Sequence, residues 1–189
     1  KEYVKENDVS FVFECVDMKN DPHIIAYKDS RLYLLDVVYN EMEYHKYNFE
    51  QLCVVANQFG LTHKEKAYVL ESWQEFFDWY YEVTAEDYKY NNRHIEGFVV
   101  EDANGYMVKL KLHYYNFWKF MRSIAHEAIR KGYIDKRRTS ALTTAVANQF
   151  YGWVKTLHDA DDLGSVPRDI CTLRNMFFQT DTGKLFANE

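Results

Sequence analysis

The dipeptide Asn104-Gly105 divides two strand-like runs within residues 94–115, and this hairpin is the tightest local constraint in the chain. Both turn positions accept positive φ, so the pair predicts a two-residue loop. Ala103 then faces Tyr106, Val100 faces Lys109 and Phe98 faces Lys111. Directly opposed residues share a face, and side chains alternate with period two. The expectation is one face carrying Glu96, Phe98, Val100, Lys109 and Lys111. An odd-length loop without a compensating bulge would move Glu96 to the other face.

Such a face has two readings. A solvent-facing Lys/Glu strand pair is common and contributes at most about 1 kcal/mol. The apolar neighbours Phe98, Val100 and Met107 favour a cleft instead. Two ammonium groups in a cleft suit phosphate as fixed point charges. A nearby carboxylate suits a magnesium ion shared with those phosphates. Together they point to a nucleoside triphosphate.

The rest of the chain supplies the frame. At 189 residues it is long enough for one or two domains with a real core, and 47% hydrophobic content with 28% charge reads as globular. The net charge of -6 excludes a generally basic nucleic-acid binder, so any such contact needs a local basic patch. Cys15, Cys53 and Cys171 are scattered, with no CxxC spacing, and read as free thiols in a reducing, cytoplasmic setting. No apolar run suffices for a membrane span, so no membrane partner is expected.

"VSFVFECV" (9–16) reads as a strand buried on both faces, and "RLYLLDVVYN" (31–40) as its neighbour, with "HIIAY" between. Asn48 and Thr62 are candidate helix caps, with a helix stop at Gly60. Residues 63–84 read as one or two helices whose aromatic side chains form core. From about residue 117 the pattern is helical, with a stop at Gly132, a cap at Thr139 or Ser140, and Pro167 near a last helix start. The basic run "RKGYIDKRR" (130–138) reads as a solvated turn, with RNA contact as the alternative.

"IEGFVVEDANGYMVKLK" resembles motifs IV and V of the covalent nucleotidyltransferases, the superfamily of ATP-dependent ligases and mRNA capping enzymes. "FVFECV" resembles their motif III, with Glu14 at its carboxylate position, and "HIIAY" with "RLYLLDV" is similar to the segment that follows it in the phage RNA ligase 1 family. The Tyr114-Tyr115 pair after Lys111 agrees with that family. The resemblance spans about residues 9–40 and 94–122. It implies an α+β fold: the antiparallel sheet half of an ATP-grasp-like nucleotidyltransferase domain over 1–117, with a helical insertion at about 48–90, then an all-α domain over 118–189.

The implied activity is ATP-dependent joining of 5′-phosphate and 3′-hydroxyl RNA ends, through lysyl-AMP and RNA-adenylate, in RNA or tRNA repair. Carried over by position, Glu14 would hold the nucleotide sugar, Glu96 would help bind Mg2+, and Lys109 and Lys111 would contact phosphate and act in catalysis. Tyr115 would support the phosphate site. The family's Lys-x-Asp-Gly nucleophile motif is not found: the nearest match, Lys19-Asn20-Asp21-Pro22, has Pro for Gly and follows motif III. The expectation is that a missing N-terminal half of the ligase domain supplies the nucleophile, and that this chain alone does not self-adenylylate. The alternatives are a non-catalytic RNA-binding remnant, or a ligase or capping-type enzyme acting on another polynucleotide.

Overall fold

The computed structural model describes residues 1–21, 23–158, 166–167 and 169–187. It is an α+β structure with two small antiparallel sheets and a helical C-terminal region. The chain divides into two compact units, residues 1–21 with 27–71, and residues 22–26 with 72–189. Among the described residues, no helix is long and apolar enough to cross a membrane.

The first unit contains α1 (Glu2–Glu6), β1 (Val9–Val16), β2 (Arg31–Tyr39) and α2 (Phe49–Phe59). β1 and β2 pair antiparallel, with a register shift between Val12 and Phe13, where Leu35 is the extra residue on β2. That extra residue reverses the alternation, so Leu34 and Val37, three apart, are both fully buried. They pack with Val9 and with Leu52, Val55 and Ala56 of α2. α2 starts at Asn48, whose side chain accepts the Gln51 N–H while Gln51 reciprocates, and it ends at Gly60 with φ +61°. Asp36, buried in β2, accepts from Lys46 at 3.2 Å and Lys64 at 2.8 Å.

Two expectations are corrected in and beside this unit. β1 is not buried on both faces, because α2 covers only one side of a two-stranded sheet; Val12, Phe13, Glu14 and Cys15 are exposed. Thr62 caps no helix: its carbonyl accepts the Leu34 N–H at 2.8 Å, and residues 62–64 run along β2 instead. The next helix begins only at Ser72, whose hydroxyl accepts the Glu75 N–H. Within "HIIAY", which links the two strands in sequence without forming a strand, Ile24 joins the helical core of the second unit.

The second unit contains α3 (Trp73–Val83), β3 (Gly97–Glu101), β4 (Met107–Lys111), α4 (His113–Lys131), α5 (Lys136–Thr139), α6 (Ala145–His158), α7 (Ile170–Gln179) and a closing 3₁₀ turn at Gly183–Phe186. Its core is built from Met121, Ile124, Ala125 and Ala128 of α4, spaced three and four apart, against Phe150 and Val154 of α6 and Leu173 and Phe177 of α7. α4 ends at Gly132 with φ +76°. Thr144, not Thr139 or Ser140, accepts from the first turn of α6. Pro167 precedes α7, which is capped by Asp169. The aromatic residues of α3 are mostly not core: Trp79 is buried, whereas Trp73 and Tyr81 are 76% and 73% exposed. A two-stranded hairpin is too narrow to cover more than one stripe of that helix.

The hairpin register differs from expectation by one residue. Gly97 pairs with Lys111, Val99 with Lys109 and Glu101 with Met107. The loop has three residues, Ala103-Asn104-Gly105, with only Gly105 at positive φ (+82°). Asp102 selects it. Its carboxylate accepts the N–H groups of Asn104 and Tyr106, both at 2.9 Å, and its carbonyl accepts from Gly105. This is a tight turn followed by a left-handed glycine, the usual three-residue hairpin. Phe98 and Val100 therefore leave the lysine face. Phe98 packs edge-on to Trp79 at 5.4 Å and Tyr90 at 5.7 Å.

Gly97 has φ +155°, and a Cβ there would lie 1.9 Å from the Leu110 carbonyl oxygen. Gly97→Ala should destabilise the protein by roughly 1–3 kcal/mol or more in chemical denaturation. Gly152→Ala, in α6 with open space around it, should stabilise it by about 0.5–1 kcal/mol. Equal effects at the two positions would refute the close approach at Gly97.

Candidate active site

Lys109 and Lys111 lie two residues apart on β4 and share one face with Val99 and Met107. This face is the open one: Lys109 is exposed, Val99 is 58% exposed, and Lys111 is half-buried. An odd-length loop should have removed Glu96 from it. Yet Glu96 forms an ion pair with Lys111 through Oε1 and Nζ. The reason is Gly97. Glu96 lies just before β3, its carbonyl accepting the Leu112 N–H at 3.1 Å, and strict alternation ends at the glycine's positive φ. Gly97 is also the cross-strand partner of Lys111, so no side chain separates the carboxylate from the ammonium group.

α4 adds the next components. Tyr115 lies in its first turn, and the Lys111 Nζ sits 4.9 Å from the centre of its ring. Lys119, one turn further on, places its Nζ 5.5 Å from the same ring. A phenol ring thus gathers two ammonium groups, one already balanced by Glu96. Lys109 has no ion-pair partner among the described residues. This arrangement concentrates three ammonium groups, with one carboxylate, on and beside one face.

Lys119 was not foreseen from sequence, because its contact requires the helix to begin at His113 rather than near residue 117. Glu14 belongs to the first unit. It lies opposite Tyr33 on β1, exposed, with the alternation that points away from Val9 and Phe11. The basic run 130–138 is partly paired within its own helices. Glu127 accepts from Lys131 at 3.1 Å and Arg138 at 2.7 Å, and these cations hold its carboxyl below the ordinary range.

A divalent ion fits this chemistry in one way. No cluster of three or more metal-ligating side chains occurs among the described residues. Glu96, with 30% of its side chain exposed, offers a single carboxylate beside a phosphate-competent face. Mg2+ is commonly held by one or two carboxylates with substrate phosphates and waters completing the shell.

The RNA ligase family model matches residues 1–115, a span that holds Glu14, Glu96, Lys109, Lys111 and Tyr115. The chain belongs to the phage-type RNA ligase family. No curated protein gives a match. As a member of that family, the ligase carries its charged face on the β3–β4 hairpin and the first turns of α4.

On the neighbouring side of the same segments, His94 stacks flat on Tyr114, with ring centres 3.6 Å apart and planes 5° apart. Burial lowers the His94 pKa to about 4, with Lys89 and Arg174 adding to the effect. The ring is therefore neutral at pH 7. A histidine depressed in the folded state favours folding above its unfolded pKa, and that contribution is lost as pH falls from about 6.5 toward 4. In an NMR pH titration the His94 ring resonances should move with a midpoint near 4; an ordinary midpoint would contradict the buried stack.

Proposed function

We propose that this RNA ligase is ATP-dependent and joins 5′-phosphate to 3′-hydroxyl RNA ends, with tRNA or another RNA in need of repair as substrate. In the first step a lysine amine attacks the α-phosphorus of ATP and pyrophosphate leaves. In the second, an RNA 5′-phosphate oxygen attacks that phosphorus and the lysine leaves. In the third, a 3′-hydroxyl attacks the RNA 5′-phosphorus and AMP leaves.

The observation that carries this reading is the Glu96–Lys111–Tyr115 contact set beside the free ammonium of Lys109. Lys109 and Lys111 would neutralise charge on the phosphoryl oxygens as each bond exchanges. Tyr115 would hold Lys111 in position. Glu96 would hold Mg2+ when phosphates draw Lys111 toward themselves, and Glu14 would bind the nucleotide sugar. The family's Lys-x-Asp-Gly sequence does not occur within these 189 residues. The attacking lysine would come from an N-terminal half of the ligase domain. The helical residues from about 118 would serve as the RNA-binding appendage.

Two experiments test the proposal. With labelled ATP and magnesium, the chain alone should give no labelled covalent band on a denaturing gel; such a band would show that it holds its own nucleophile. In an enzyme completed with a nucleophile-bearing segment, Lys109→Ala or Lys111→Ala should slow single-turnover adenylyl transfer by about 10²–10³. The exposed Lys109, unpaired among the described residues, should shift stability by less than about 0.5 kcal/mol on substitution. Glu96→Ala should raise the magnesium concentration required. Lysine variants that seal RNA at the wild-type rate would reduce this face to an ordinary solvated strand pair.

A further inference from the structure

A pocket of about 410 Å³ opens in the second unit among Lys89, Arg93, His94, Tyr114 and Arg174, and among the described residues no carboxylate lines it. Two of its cations flank a tight turn. Tyr90 and Arg93 exchange backbone hydrogen bonds at 2.9 and 3.0 Å around Asn91 and Asn92, which take φ +49° and +59°. Paired left-handed positions make the two-residue hairpin turn whose twist suits short antiparallel pairs. The turn presents exposed Lys89 and Arg93 to the pocket.

The third cation comes from α7. Arg174 is only 6% exposed. Its guanidinium donates to the Ile24 carbonyl at 3.2 Å and contacts the Cys171 sulfur at 3.6 Å. It lies 5.4 Å from the Tyr114 ring centre and 5.3 Å from that of Trp118. Among the described residues, no carboxylate pairs with Lys89, Arg93 or Arg174. A buried guanidinium without a counter-charge is costly, and an anion entering the pocket would relieve that cost. His94 contributes a further polar atom, for its Nδ1 is buried without a hydrogen-bond partner. The pocket concentrates positive charge in a chain whose net charge is -6.

We propose that this pocket binds a phosphate group of an RNA strand. The anion site follows from the cations, the unpaired buried Arg174 and the free His94 nitrogen. That the phosphate belongs to RNA rests on the ligase reading above, and the pocket is larger than a lone phosphate needs. The placement has a mechanical consequence. His94 and Glu96 are two residues apart, and Tyr114 and Tyr115 are adjacent. An RNA phosphate held by the first member of each pair sits beside the segment that positions Lys111. The pocket would therefore register the strand against the transfer site.

The test uses the intact chain and a short fluorescent single-stranded RNA, followed by anisotropy across a salt series. Lys89→Gln/Arg93→Gln removes two exposed cations and should keep the wild-type melting curve. The double variant should bind RNA more weakly at every salt concentration. Its slope of log affinity against log salt should be shallower by about 0.7, the value for one phosphate contact on a single strand. Inorganic phosphate is titrated in parallel by observing the His94 ring signals. An unchanged RNA affinity and slope in the double variant overturns the proposal, as does wild-type protein that binds no RNA. If inorganic phosphate shifts the His94 signals while RNA binding is insensitive to the variant, the pocket takes free anions and the RNA assignment is wrong. These outcomes are independent of adenylyl transfer. Failure of the Lys109 and Lys111 variants to slow that reaction would remove the catalytic reading while leaving the binding result standing.

Discussion

The close passage of Gly97 against the Leu110 carbonyl governs the charged face of this ligase. It does two things at once. Its positive φ ends the alternation of β3, so the Glu96 carboxylate escapes the side where Phe98 packs on Trp79. Its missing side chain leaves clear the space across from Lys111, its strand partner. Any larger residue would meet backbone, which cannot move aside as a flexible side chain can. The ion pair of Glu96 with Lys111, and through Lys111 the contact with Tyr115, follow from that single position.

Electrostatics are handled differently in the two units. In the first, Asp36 is buried and satisfied by two lysines that arrive from separate segments, Lys46 and Lys64. Such an arrangement ties irregular chain to β2, and breaking it would strand a buried charge. In the second, the buried Arg174 meets a backbone carbonyl, a sulfur and two aromatic rings, with no carboxylate partner among the described residues. The first arrangement is complete in itself. The second leaves positive potential unspent, and that potential adds to the burial that depresses the His94 pKa.

Much of the local structure was legible because it depends on neighbours in sequence. Asn48 and Gly60 bound α2, and Gly132 ends α4, since caps and left-handed stops act within one helical turn. The resemblance to the family was legible too, and the family match over residues 1–115 spans the positions Glu14, Glu96, Lys109 and Lys111 that carried it. The loop at Asn104-Gly105 was misjudged by one residue because the Asp102 side chain, not the turn dipeptide, sets its length. That Glu96 still meets Lys111 was beyond a pairing argument, which assumes unbroken alternation.

By itself the sequence marked the candidate residues for chemistry, the first cap of α2 and the glycine stops of α2 and α4, because residue type and short-range periodicity carry that information. It could not show that Thr62 runs along β2, that most α3 aromatics stay exposed, or that Lys119 joins Tyr115. Nor could it bring Lys89, Arg93 and Arg174 around one pocket. Those facts depend on which surfaces find a covering partner and on which charges find a counter-ion. Both are decided between segments far apart in the chain, where only the folded backbone fixes distance and direction.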